Sequence, residues 1–214
     1  MNRRDFSLHL TGLAGLVSLS GPALAQGAPV EGKDFQRVSP PVPMAPTGKV
    51  EVVEFFWYGC PHCNALEPSL EAWVKRLPPN VHFERVAATF TPMHSYHARI
   101  YYALELMGKV EAFHAKVFAA IHVQHQRLDK DADVAAFFTA QGLDGQKVLQ
   151  TMKSFTVEGK LRQAKALAQG YKIDGVPTLG IQGRFTTSAA MTGSEPRLYA
   201  TADMLIAQAA KGLG

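Results

Sequence analysis

The sequence predicts an α/β fold with a mixed central sheet and an inserted helical domain. Three observations carry this. Residues 49–57 and 81–87 are apolar, β-favouring runs on either side of one helical stretch, the pattern of a βαβ unit with parallel strands. From 93 to 156 the apolar period is helical throughout, broken only by capping residues and glycines. Extended segments return at 179–181 and from 185, separated by the turn Gln182-Gly183-Arg184, as partner strands.

Residues 1–25 read as an export signal. Arg3 and Arg4 give a positive start, 10–19 are apolar or small, and Ala23-Leu24-Ala25 offers a small-x-small site for cleavage after Ala25. The apolar part is too short to stay in a bilayer as a spanning helix. The stretch Asn2-Arg3-Arg4-Asp5-Phe6-Ser7-Leu8 also resembles a twin-arginine signal, so the general and twin-arginine routes both stay open. Either one delivers the mature chain to a compartment where disulfides persist. The chain carries a formal net charge of +4, of which Arg3, Arg4 and Asp5 account for one unit. So mild an excess, without a basic cluster, argues against a nucleic-acid partner.

Residues 26–48 hold Pro40, Pro41, Pro43 and Pro46 and predict an irregular lead-in with a short edge strand at 35–38. The strand over 49–57 follows, with Val52, Val53, Phe55 and Phe56. Glu54 stands among them, a costly place for a carboxylate unless it alternates out to solvent. Both placements remain open from the residues alone.

The strand delivers Cys60-Pro61-His62-Cys63, and these are the only two cysteines in 214 residues. A thiolate on Cys60 would meet the unpaired N–H groups and the positive dipole end of the helix that starts there, which lowers its pKa. Pro61 suits the first helical position, where a missing N–H costs nothing. His62 brings a further donor beside the sulfur, and Cys63 falls one turn on, within disulfide reach. A low pKa makes Cys60 the nucleophile and Cys63 the resolving thiol. The competing reading, a zinc site, needs two more ligands, and no further cysteine exists to supply them.

Leu66, Leu70, Trp73, Val74 and Leu77 give 62–76 helical spacing, with a kink expected at Pro68 and a stop at Pro78-Pro79-Asn80. The helices of the insertion are expected at 95–107, 110–123, 131–141 and 145–154, the last capped by Asp144. His94, His97, His114, His122 and His125 lie there. His122-x-x-His125 and Glu111-x-x-His114 have metal-site spacing, but each is half a site, and no metal is expected. Tyr101-Tyr102 and Phe137-Phe138 read as core. Residues 156–169 are amphipathic; Val176-Pro177-Thr178 introduces the strand at 179–181; Thr192-Gly193 is expected to close the last strand before a terminal helix over 195–211.

Glu54 through Cys63 resembles the active-site strand and turn of the thioredoxin superfamily, and Pro61-His62 between the cysteines resembles its DsbA family. Val176-Pro177-Thr178 matches the superfamily's cis-proline loop, and the helical stretch sits where that family carries an inserted domain. The resemblance covers essentially the whole mature chain. It implies a thioredoxin-like domain of 49–92 with 157–214, interrupted by 93–156. It implies a buried acid at Glu54 serving Cys63, and a peptide-binding loop at Val176, Pro177 and Thr178. It further implies a periplasmic, monomeric thiol:disulfide oxidoreductase that needs no bound cofactor. Its substrates would be folding exported proteins with reduced cysteines, and an inner-membrane, quinone-linked oxidase of the DsbB kind would reoxidise it. The rival readings are a disulfide isomerase or reductase, a glutathione-dependent enzyme of the kappa class, and a redox-silent peptide-binding chaperone.

Overall fold

The computed structural model describes residues 27–45 and 47–212. The expected export signal and its expected cleavage site therefore lie outside the described residues. A short edge strand β1 (Gln36–Arg37) precedes β2 (Val50–Phe56), α1 (Pro61–Val74) and β3 (Val81–Ala87). Five helices follow: α2 (Pro92–Leu106), α3 (Val110–His122), α4 (Asp131–Ala140), α5 (Gly145–Met152) and α6 (Phe155–Gly170). The chain then returns as β4 (Thr178–Ile181) and β5 (Phe185–Thr187) and ends in α7 (Ala189–Thr192) and α8 (Glu195–Ala210).

The strands form one mixed sheet in the order β1-β5-β4-β2-β3. β2 and β3 are parallel, as a helix crossover between them requires, while β2–β4, β4–β5 and β1–β5 are antiparallel. Helices cover both faces. Val50 and Val52 join Leu66, Leu70 and Trp73 of α1 and the apolar side of α8 in one core. Val53 and Phe55, on the alternate face, join α2, α3 and α6 in the other. Complete burial of β2 stabilises the fold by about 1.5–3 kcal/mol for each Val or Phe side chain.

α1 carries Pro68 in its interior. Two expectations are corrected. α2 begins at Pro92 rather than Ser95, because Thr91 is the cap: its hydroxyl accepts from the His94 N–H. Thr192-Gly193 does not close a strand. β5 stops at Thr187, Ser188 caps the single turn of α7, and Gly193 ends it at φ 77°, in the left-handed region.

Candidate active site

Local sequence fixes the start of α1. Cys60 is its N-cap, with extended dihedrals (φ −85°, ψ 117°), and Pro61 fills the first helical turn. The Cys63 N–H consequently points back at Cys60 Sγ, 3.4 Å away. Ahead of the helix, the Cys60 N–H closes a turn onto the Trp57 carbonyl at 2.9 Å. Gly59 is required in that turn, since a Cβ would run into the Trp57 indole.

Both cysteines are thiols in this structure. Cys60 is 7% exposed and Cys63 fully buried. The Cys63 thiol, followed by the N–H groups of Cys63 and His62 and then the charge of His62, brings Cys60 down to about 6 against the opposing effect of burial. Burial, reinforced by Cys60, pushes the Cys63 thiol far up. One sulfur is thus a thiolate near neutral pH with a small exposed area, and the other a protonated, fully buried thiol.

The fold brings the proline loop to the same sulfur. The Val176–Pro177 peptide bond is cis, and the Cys60 thiol donates to the Val176 carbonyl at 3.4 Å. Thr178 opens β4, and its hydroxyl donates to the Gly175 carbonyl, which ties the loop to the strand. A groove of about 590 Å³ runs from this loop past exposed His62 and Leu66 of α1 to Met191 of α7. Cys60, Cys63, Pro61, His62, Val176, Pro177 and Thr178 therefore form one constellation.

Glu54 is buried, 1% exposed, because β2 has a neighbour on each side and helices on both faces. Burial raises its carboxyl to about 8, despite the positive charge of Arg85. Arg85, one strand over on β3, stands in register with Glu54. Its Nε lies 3.1 Å from Glu54 Oε2, but at an angle that makes no hydrogen bond. Its Nη2 donates instead to Glu67 Oε1 (2.9 Å) and Glu71 Oε1 (2.5 Å) of α1. One guanidinium is shared among three carboxyl groups, and Glu54 receives its charge without a well-aligned hydrogen bond.

Arg85, Glu67 and Glu71 are parts of the site that sequence reading missed. Glu67 carried a usable signal, since it lies one helical turn after Cys63 on the same side of α1. The histidine pairs read as half metal sites serve other ends. His114 faces the Tyr58 hydroxyl (2.9 Å) and Glu67 (3.5 Å), and His122 Nε2 donates to the Tyr58 carbonyl (2.7 Å). His97 faces the Arg127 carbonyl at 3.1 Å. Tyr101, Tyr102, Phe137 and Phe138 are buried core, as expected.

Comparison with known proteins adds the lineage. A family model described as a DSBA-like thioredoxin domain matches residues 74–198. The thiol:disulfide interchange protein DsbA of Pseudomonas aeruginosa is 38% identical over 200 residues, 94% of this chain and 95% of that protein. Its counterpart from Burkholderia cepacia is 41% identical over 198 residues, 92% of each. Among solved structures, Pseudomonas aeruginosa DsbA superposes with a TM-score of 0.82 at 38% identity, covering 86% of this chain and 95% of that one. Oxidoreductase DsbA from Xylella fastidiosa gives 0.79 at 28% identity, covering 86% and 98%.

Proposed function

The chain belongs to the DsbA-like thioredoxin family and is a thiol:disulfide oxidoreductase, and on that premise we propose that it inserts disulfides into exported proteins in the periplasm. The observation that carries the direction of the reaction is the asymmetry of the two sulfurs. Cys60 sits at about 6 with the Cys63 N–H upon it, while Cys63 is buried and held protonated. Whatever stabilises the Cys60 thiolate stabilises the reduced protein, so the oxidised protein gives its disulfide away.

In the oxidised form a substrate thiolate attacks Cys60 Sγ. The Cys60–Cys63 bond breaks, a substrate–Cys60 bond forms, and Cys63 leaves with the electron pair. Glu54 supplies the proton that neutralises the departing Cys63; a carboxyl near 8 still holds one at neutral pH. The substrate's second thiolate then attacks the substrate sulfur of the mixed disulfide and expels Cys60 as its stable thiolate. Two electrons pass to the protein, and a quinone-linked inner-membrane oxidase of the DsbB kind removes them. The substrate backbone lies extended along Val176, Pro177 and Thr178, with the groove beside His62 receiving its side chains.

The protein acts as a monomer, its leader removed after Ala25. Residues 49–92 with 157–214 form the redox unit, and 93–156 the insertion. Equilibration with graded mixtures of reduced and oxidised glutathione tests the direction. An oxidase is half-reduced even in mixtures rich in oxidised glutathione. A Cys60–Cys63 pair that stays oxidised in mostly reduced glutathione would instead make this a reductase.

A further inference from the structure

α3 meets the turn before Cys60 with three side chains spaced four residues apart. His114, Phe118 and His122 share one helical face, and each touches a different part of Tyr58. His114 Nδ1 is 2.9 Å from the Tyr58 hydroxyl. The Phe118 ring stands edge-on to the Tyr58 ring with centroids 5.0 Å apart. His122 Nε2 is 2.7 Å from the Tyr58 carbonyl oxygen, which can only accept, so that nitrogen carries the proton. Tyr58 is 1% exposed, so this carbonyl has little water to replace a lost partner.

The gripped carbonyl belongs to the Tyr58–Gly59 peptide unit, and the orientation of that unit decides how Gly59 and Cys60 leave the strand. The turn has one main-chain hydrogen bond of its own, from the Cys60 N–H to the Trp57 carbonyl. Cys60 must hold its cap dihedrals for the Cys63 N–H to meet its sulfur. We infer that His122, supported by His114 and Phe118, is a positioning residue through which the inserted helices fix the Trp57–Cys60 turn and aim the Cys60 sulfur at the amides of α1. None of the three is a catalytic residue; each acts through Tyr58. The inference rests on Cys60 being the nucleophile.

Reduced protein is titrated by its ultraviolet thiolate absorbance and melted in parallel, for the wild type and three variants. His122→Leu removes the donor. His122→Asn keeps polarity but falls short of the Nε2 position, and His122→Gln places an amide N–H there. In Leu and Asn the thiolate fraction at a pH below the wild-type midpoint falls by roughly fivefold or more, and Gln restores it to within about twofold. If His122→Leu does not fold, the Asn and Gln pair decides. A wild-type-like titration in Leu or Asn, even with a lowered melting temperature, overturns the inference, because packing alone would then be at stake. So does a Gln variant that behaves like Asn. A wild type whose thiol titrates at an ordinary value would sink the nucleophile assignment itself, and the positioning role with it.

Discussion

The main-chain N–H of Cys63 donates to the sulfur of Cys60 across 3.4 Å, while Cys63's own sulfur lies buried beneath. A three-residue spacing thus gives two thiols of opposite character. In the proposed exchange Cys63 resolves what Cys60 begins, and the Cys63 thiol and amide are also what stabilise the Cys60 thiolate.

Iodoacetamide should therefore label Cys60 alone, with a rate that rises through about pH 6 and then levels off. Cys63 should stay unmodified while the protein is folded. Peptide mapping by mass spectrometry reads both sites, and preferential labelling of Cys63 would reverse the assignment.

His62→Ser keeps the N–H of position 62 and removes only the imidazole. The side-chain charge comes last among the influences on Cys60, behind the Cys63 thiol and the two amides. The substitution should raise the Cys60 pKa by less than about one unit, a change of under about tenfold in thiolate fraction. The redox midpoint should move in the reducing direction to match. A shift of several units in a thiolate titration would put the imidazole ahead of the amides.

What was legible in the sequence is what is local. Cys60, Pro61, His62 and Cys63 encode a cap, a first turn and two thiols within four residues, and Val176-Pro177-Thr178 was found through its motif. Glu54 was ambiguous because period-two alternation presumes one wet face, and β2 has none. Arg85, 31 residues on, becomes its neighbour only when β2 and β3 pair in this register. His114 and His122 read as half metal sites because helical spacing shows which residues share a face, not which residue that face meets. The short helix α7 was hidden for a related reason: Ser188 as a cap and Gly193 as a stop bracket too few residues to show a period.

Glu54 should make stability depend on pH in a definite direction. Its carboxyl is near 8 when folded, against about 4.3 in an unfolded chain. Between those values the folded protein holds a proton that the unfolded chain has released. Its contribution is complete below the unfolded pKa and is lost as pH rises toward the folded one, by roughly 1.4 kcal/mol per unit. Glu54→Gln removes this slope. The variant should melt above wild type near pH 8, and the difference should vanish toward pH 4. Parallel melting curves at both pH values in the two proteins would mean that Glu54 does not bind its proton as described.

The reduced and oxidised forms should exchange order with pH. Closing a loop of about four residues stabilises the oxidised form by about 2 kcal/mol in the chain-entropy picture. Against this, a Cys60 pKa of about 6 compared with about 8.5 unfolded stabilises the reduced form by about 2.5 kcal/mol at pH 8, and by only about 0.4 kcal/mol at pH 6. Because the folded pKa is the lower one, the contribution is present above the unfolded value and is lost as pH falls through the folded value. The reduced protein should melt higher at pH 8 and the oxidised protein at pH 6. A disulfide form that is the more stable at both would contradict the thiolate account.

The central claim is that the Cys60–Cys63 pair transfers its disulfide. Pre-oxidised protein mixed at neutral pH with one equivalent of a reduced two-cysteine peptide measures this directly, by counting thiols on each partner after acid quenching. The expected result is near-complete conversion of the peptide to its disulfide, with both protein thiols appearing together and no transfer from Cys60→Ser protein. A peptide that binds but keeps its thiols would leave a redox-silent binding module, and an equilibrium with the disulfide still on the protein would leave a reductase.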